Sequence, residues 1–277
     1  MKVTIVQLNS TDDVMQNLDN IKNLIDTHLM DHQQLNKKSR LFILPENSLF
    51  FRIKEGSAIQ ALSLQSEVFR DLERFAAERD VYIHLTTAMS DDELVWNASV
   101  LISPHERSRI VYKKIHLFDI QLEGQTPVKE SDFFKNGSDI TTFIVDGFLF
   151  GNSICYDLRF SELYLNHAKN RVDVILIPAA FLVKTGQAHW EIMTRARAIE
   201  SQAYVLAPGQ VGLHVSVDGQ HTRSTYGHSI AINPWGEILH CMPNEVGCFD
   251  IVLEKSKIES VRKQIPMSGH RRLGSVK

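Results

Sequence analysis

Short apolar runs that stop abruptly at turns, alternating with helix-periodic stretches, restrict this chain to an α/β architecture. Leu41-Phe42-Ile43-Leu44 is cut off by Pro45, Phe143-Ile144-Val145 is followed by Phe148-Leu149-Phe150 and Ile154, and Val172–Ile177 forms a third run. Continuous apolar runs of this length read as strands buried on both faces. Between them, Val14, Leu18, Ile21, Ile25 and Leu29 recur at helical spacing after Asp12-Asp13. Val68, Leu72 and Phe75 do so again, and Ala188–Gln202 reads as a further helix. Other strands are expected at Val3–Leu8, Val81–Thr87, Val95–Ile102, Arg109–Tyr112, Tyr204–Ala207, His228–Ile232, Glu237–His240 and Gly247–Leu253. Neither a repeat nor a low-complexity linker interrupts the pattern. One domain over residues 1–277 is therefore expected, with the last few residues a tail. The basic residues Arg262-Lys263 and His270-Arg271-Arg272 are read as part of that solvated end.

Composition narrows the function classes. With 43% hydrophobic and 23% charged residues, a packed core is expected rather than disorder. A net charge of −3 offers no surface for nucleic acid. The N-terminus enters a strand pattern directly instead of a signal peptide. The ten-residue run Val174–Val183 contains a proline and is too short to span a bilayer. A cytoplasmic protein without membrane partners is expected. Cys155, Cys241 and Cys248 form no disulfide framework. No G-x-S-x-G, P-loop or G-x-G-x-x-G appears, which argues against a serine hydrolase elbow and against nucleotide cofactors. His28 and His32 are read as solvated surface, and His214, His221 and His228 as structural loop residues rather than metal ligands.

Three segments carry candidate chemistry. Cys155 lies in Gly151-Asn152-Ser153-Ile154-Cys155-Tyr156-Asp157-Leu158-Arg159-Phe160, at a strand-to-helix corner with Ser161 as the expected N-cap. Backbone N–H groups at such a corner favour negative charge, so a lowered thiol pKa is expected. Glu46 follows the strand ended by Pro45, at the carboxyl edge where open α/β sheets bind ligands. The third segment, Ile110-Val111-Tyr112-Lys113-Lys114-Ile115-His116-Leu117-Phe118-Asp119, runs from a strand end into a loop. The long stretch from His116 to Ser138 has little periodicity and holds Glu130; loops of this length are often functional. Each feature has a plain alternative: a buried structural thiol, a solvated glutamate, an exposed Lys-Lys edge.

Together, in this order, the segments resemble the nitrilase superfamily of carbon–nitrogen hydrolases, and the resemblance covers nearly the whole chain. It implies an α-β-β-α sandwich, with two sheets face to face and helices outside. It implies a Glu46, Lys114, Cys155 triad, Lys114 being chosen over Lys113 because it stands two residues before His-Leu-Phe. Glu130 takes the place of the family's second glutamate. The implied chemistry is hydrolysis of a small-molecule amide to acid and ammonia through a thioester. Cys155 is the nucleophile, Glu46 the acid–base, and Lys114 with the Tyr156 backbone N–H the oxyanion partners, with no metal or organic cofactor. A homodimer or higher homo-oligomer is expected. Gly124-Gln125-Thr126-Pro127, Thr185–Glu191, Arg195–Glu200, Gln210–His214, Tyr226–Ser229 and Asn233–Gly236 resemble the deaminated glutathione amidases. The omega-amidases, acting on 2-oxoglutaramate or 2-oxosuccinamate, are the close alternative; a silent binding protein on the same fold is another. A thiol redox protein is disfavoured, since no resolving cysteine lies near Cys155. Ser161 and Ser201 depart from the family's frequent Pro and Asn. Asp157 and Arg159 are expected to brace the cysteine turn. The loop Gly209–Thr225 is expected to carry specificity, and Arg159, Lys184 or Arg223 to offer local positive charge.

Overall fold

The computed structural model describes residues 1–31, 40–91, 93–121 and 127–272. The first half comprises β1 (Lys2–Gln7), α1 (Val14–Asp31), β2 (Leu41–Ile43), α2 (Glu67–Arg79), β3 (Tyr82–Asp91), β4 (Leu94–Ile102), β5 (Arg109–Lys113), β6 (Asp119–Ile120) and β7 (Val128–Lys129). The second continues with β8 (Thr142–Val145), β9 (Phe148–Asn152), α3 (Ser161–Lys169), β10 (Val174–Leu176), α4 (Val183–Ser201) and β11 (Tyr204–Ala207). It ends with β12 (Val211–Val215), β13 (Thr222–Tyr226), β14 (Ile230–Ile232), β15 (Ile238–Cys241), β16 (Gly247–Val252), α5 (Lys255–Gln264) and α6 (Met267–His270).

Two six-stranded sheets result, ordered β16-β1-β2-β3-β4-β5 and β15-β14-β11-β10-β9-β8. Their centres are parallel (β1-β2-β3 and β9-β10-β11) and their flanks antiparallel. Side-chain alternation sorts each strand between two cores. Val3, Ile5, Leu41 and Ile43 face Phe143, Phe150, Val174 and Leu206 between the sheets. Val6, Phe42 and Ile83 face the other way, onto Leu18, Ile21 and Ile25 of α1 and Leu72 and Phe75 of α2. Ile175, Ile177 and Val205 meet Leu163 of α3 and Trp190 and Ala198 of α4. Burying one such side chain contributes about 1.5–3 kcal/mol, so three-residue strands such as β2 and β10 persist because both faces are covered. The arrangement is the α-β-β-α sandwich. Among the described residues no helix is long and apolar enough to cross a membrane.

Several expectations change in detail. Ser161 is the first residue of α3; Phe160 takes the N-cap position, and a 3₁₀ turn, Cys155–Arg159, precedes it. The segment Thr185–Gln187 is already helical, since α4 starts at Val183. Residues of the expected specificity loop form the β12–β13 hairpin, closed by Ser216 N–H donating to the His221 carbonyl at 3.0 Å. Of the basic C-terminal residues, Lys263, His270 and Arg272 are exposed, whereas Arg262 donates to the Val172 carbonyl (2.6 Å) and Arg271 to the Glu200 carbonyl (3.0 Å). The terminal tail 273–277 lies outside the described residues. His28 is buried, not surface, with Nε2 2.8 Å from Asp250 and Nδ1 3.1 Å from Cys248 Sγ; His32 lies outside the described residues.

Candidate active site

Strand ends from both six-stranded sheets and from the two-stranded β6–β7 pair deliver the candidate residues to one place. Glu46 follows β2 after Pro45, Lys114 follows β5, Cys155 follows β9, and Glu130 opens a 3₁₀ turn straight after β7. Lys114 is 2% exposed and its Nζ lies 2.8 Å from Glu46 Oε1 and 2.9 Å from Glu130 Oε2. Asn97, on β4, donates from one Nδ2 to Glu46 Oε1 and to Glu130 Oε1, each at 2.8 Å. Backbone donors add to this: Ala180 N–H to Glu46 Oε2 at 3.0 Å and Phe118 N–H to Glu130 Oε2 at 2.6 Å. Two carboxylates therefore share one ammonium and one amide in a nearly dry site, where charge-assisted hydrogen bonds are strongest. Gln210 adds a bond from Nε2 to the Glu46 carbonyl (2.9 Å), fixing the turn that carries it.

Cys155 sits at φ 47°, in the left-handed region, which costs a residue with a Cβ roughly 1–2 kcal/mol. Asp157 holds the turn in that state. It is fully buried and accepts from Ile154 N–H (2.9 Å), Tyr112 Oη (2.7 Å), His116 N–H (3.0 Å) and His116 Nδ1 (2.7 Å). Cys155 N–H donates to the Pro178 carbonyl at 2.9 Å. The bracing expected of Asp157 is thus present.

The electrostatics overturn one expectation. Burial, followed by the neighbouring Glu46 carboxylate, pushes the Cys155 thiol well above the ordinary cysteine range; Lys114 and the Ala180 amide pull the other way and are outweighed. The corner was expected to lower this pKa, but the sulfur lies on a dry floor beside a carboxylate. Lys114 moves upward as well: burial works to lower it, but Glu130 and Glu46 prevail and raise it well above the lysine range.

A pocket opens above this floor. Glu46, Lys114, Glu130, Cys155 and Tyr156 all line it, so every residue singled out in the sequence as catalytic or oxyanion-binding is brought together. The Tyr156 ring meets Phe118 and Phe160 edge-on, with centroids 5.1 and 5.4 Å away. Of the three cations expected to lend charge, Arg159 and Arg223 line the pocket and Lys184 does not. Arg159 reaches over Phe181 and lies 3.3 Å from His189 Nδ1. Thr185 also lines the wall, and Gly186 is required nearby: a Cβ there would stand 2.2 Å from the Tyr226 ring. Trp190 donates to the His228 carbonyl at 2.9 Å, and Arg197 pairs with Glu200 at 2.8 Å. His214 is held between the Ser10 carbonyl and Thr225 Oγ1. Residues 124–126 of the Gly124–Pro127 motif lie outside the described residues. Sequence reasoning missed Asn97 and Arg52. A lone amide within the apolar β4 pattern was a signal for the first; nothing local marks the second.

A carbon–nitrogen hydrolase family model matches residues 2–254. The chain is 31% identical to the deaminated glutathione amidase of Dictyostelium discoideum, over 100% of this chain and 95% of that protein. It is 32% identical to the protein of the same name from Yersinia enterocolitica, over 99% of this chain and 93% of the other. Among solved structures, Caenorhabditis elegans NitFhit superposes with a TM-score of 0.82 at 28% identity. That match covers 98% of this chain but 65% of the longer fusion protein. Saccharomyces cerevisiae Nit3, described as a member of branch 10 of the nitrilase superfamily, gives 0.82 at 24% identity, covering 99% and 97% of the two chains. The chain belongs to the carbon–nitrogen hydrolase family and is an enzyme of that class.

Proposed function

We propose that the protein is a cysteine-dependent amidase that cleaves a small carboxylate-bearing amide through a thioester. The observation that carries this reading is the joining of Glu46, Lys114 and Glu130 in one buried network on a pocket floor that also holds Cys155. With the thiol pKa raised, prior ionisation is unfavourable, so Sγ attacks the amide carbon as its proton passes to Glu46. The Lys114 ammonium and the Tyr156 backbone N–H stabilise the developing oxyanion; losing one such donor typically costs about 10²–10³ in rate. Collapse breaks the C–N bond as Glu46 returns the proton to nitrogen, leaving the acyl group on Sγ. Water then attacks the thioester carbon, Glu46 takes its proton and passes it to the departing sulfur, and the acid is released. Glu130 holds Lys114 in register. No metal or organic cofactor enters this cycle.

Deaminated glutathione is the favoured substrate, supported by the names of the two near-full-length relatives and by Thr185, which lines the pocket within a matching segment. Its scissile bond is a secondary amide, so cysteinylglycine leaves as an amine. Ammonia, the product inferred from the sequence, fits only a primary amide such as 2-oxoglutaramate. The test is a side-by-side assay of both compounds, reading free amine and ammonia, with intact-mass detection of an acyl–enzyme. Cys155→Ala should reduce turnover by several orders of magnitude; residual activity within about tenfold overturns the thioester. A higher kcat/KM on 2-oxoglutaramate moves the substrate to the omega-amides. Binding of either without turnover or acyl–enzyme makes the protein a silent binder. The same reading takes the enzyme as a cytoplasmic homodimer or higher homo-oligomer, and light scattering of the purified protein checks the assembly.

A further inference from the structure

We propose that Arg52 and Arg223 form an anion subsite in the pocket wall that receives a substrate carboxylate remote from the scissile amide. The inference deepens the amidase reading and rests on it for the word substrate, but not for the binding itself.

Both arginines line the pocket, from elements separate from the Cys155 turn. Arg52 lies on the segment after Glu46, and Arg223 is on β13. Among the described residues both pair with Glu55, while Glu130 and Asp132 act on Arg52 more weakly. Arg52 Nη2 lies 2.9 Å from Glu55 Oε1, and Arg223 Nη1 lies 3.7 Å from Glu55 Oε2. Glu130 is taken up by Lys114 and Asp132 is exposed, so two guanidinium groups paired with Glu55 leave this wall positive. Arg223 also donates to the Arg52 carbonyl at 3.4 Å, which ties the pair together.

The pair is held in place and incompletely used. The Arg52 guanidinium stacks 4.0 Å from the centroid of Phe133, and that of Arg223 lies 5.4 Å from the centroid of Phe51. Arg52 has only 11% of its side chain exposed, and its buried Nη1 has no acceptor among the described residues. A buried N–H without an acceptor is uncommon and calls for a partner. Burial and the adjacent Arg223 lower the Arg52 pKa despite Glu55, the state an incoming anion would relieve. A planar donor fork beside a second guanidinium is suited to a carboxylate, which accepts two parallel N–H bonds. Arg159 also lines the pocket, where it meets Tyr156, Phe181 and His189 rather than Glu55. The geometry therefore favours amides that carry a carboxylate at a distance from the reacting carbon, such as dicarboxylic acid monoamides and short peptide acids.

The test is direct binding to the intact protein, with glutarate as the two-carboxylate probe and butyrate as its one-carboxylate counterpart, by titration calorimetry at fixed ionic strength. Glutarate should bind at least about tenfold more tightly than butyrate, the scale of one charge-assisted contact. Arg52→Met and Arg223→Met should each erase most of that preference while leaving butyrate affinity in place. Glu55→Gln, which frees both guanidinium groups, should strengthen glutarate binding. Equal affinities in the wild type, or a preference that survives both arginine substitutions, overturns the subsite; so does weaker glutarate binding in Glu55→Gln. Should an arginine variant fail to fold, the Glu55→Gln shift alone decides. A glutarate preference in a protein that hydrolyses no amide would refute the amidase reading and leave the subsite standing.

Discussion

Replacing Lys114 with methionine asks how much the buried charge network contributes. Nζ lies 2.8 Å from Glu46 and 2.9 Å from Glu130, and the side chain is 2% exposed. Without the ammonium, two carboxylates remain buried together, joined only through the Asn97 amide. Removing one partner of a buried ion pair costs about 3–5 kcal/mol, because the remaining charge is uncompensated. Each carboxylate keeps a backbone donor, Ala180 or Phe118, and methionine fills nearly the volume of the lysine stem. The lower end, about 3 kcal/mol, is therefore expected. With a urea slope of about 3 kcal/mol per molar, the unfolding midpoint should fall by about 1 M. The coupling should show in a second variant. Glu130→Gln destabilises on its own, yet added to Lys114→Met it should recover at least about 1 kcal/mol, because it removes one of the two opposed charges. Urea denaturation of the wild type, both single variants and the double variant measures all of this. A Lys114→Met protein within about 1 kcal/mol of wild type, or simple additivity in the double variant, refutes the reasoning.

Gly137→Ala should disturb the same lysine through the backbone. A Cβ at Gly137 would stand 2.2 Å from the Lys113 carbonyl oxygen, and Gly137 N–H donates to the Lys114 carbonyl at 2.8 Å; a loss in kcat/KM on the order of 10²-fold is expected, and wild-type kinetics would refute it. Acid should weaken the fold through His84 and His214, both pushed down to about 4 by burial. Their folded pKa values lie below the unfolded value, so the stabilisation is full above about pH 6.5 and is lost as pH falls through about 4, up to about 3 kcal/mol for each. Urea unfolding at several pH values across that window checks this, and His214→Gln should flatten the slope; an unchanged slope counts against it.

Elements formed by local pattern were legible, and contacts between distant segments were not. Glu46, Lys114 and Cys155 each follow a strand that ends visibly in the sequence, at Pro45, at the Lys113-Lys114 pair and at the Gly151–Ile154 corner, but it was the resemblance to the nitrilase superfamily, not those ends, that joined them into one candidate site. The β12–β13 hairpin was hidden because Thr222-Arg223-Ser224-Thr225 is polar throughout and only Thr225 is buried. His28 was misread from its spacing to His32, although it stands three residues after Ile25 and seven after Ile21, on the face of α1 that packs inward. Asn97 and Arg52 acquire their roles only when β4 and the segment after Glu46 meet the ends of other strands. The Cys155 thiol is the instructive case. Its turn argued for a thiolate, and locally the Ala180 amide and Lys114 do favour one. Burial and Glu46 outweigh them, and Glu46 stands more than a hundred positions away in the chain.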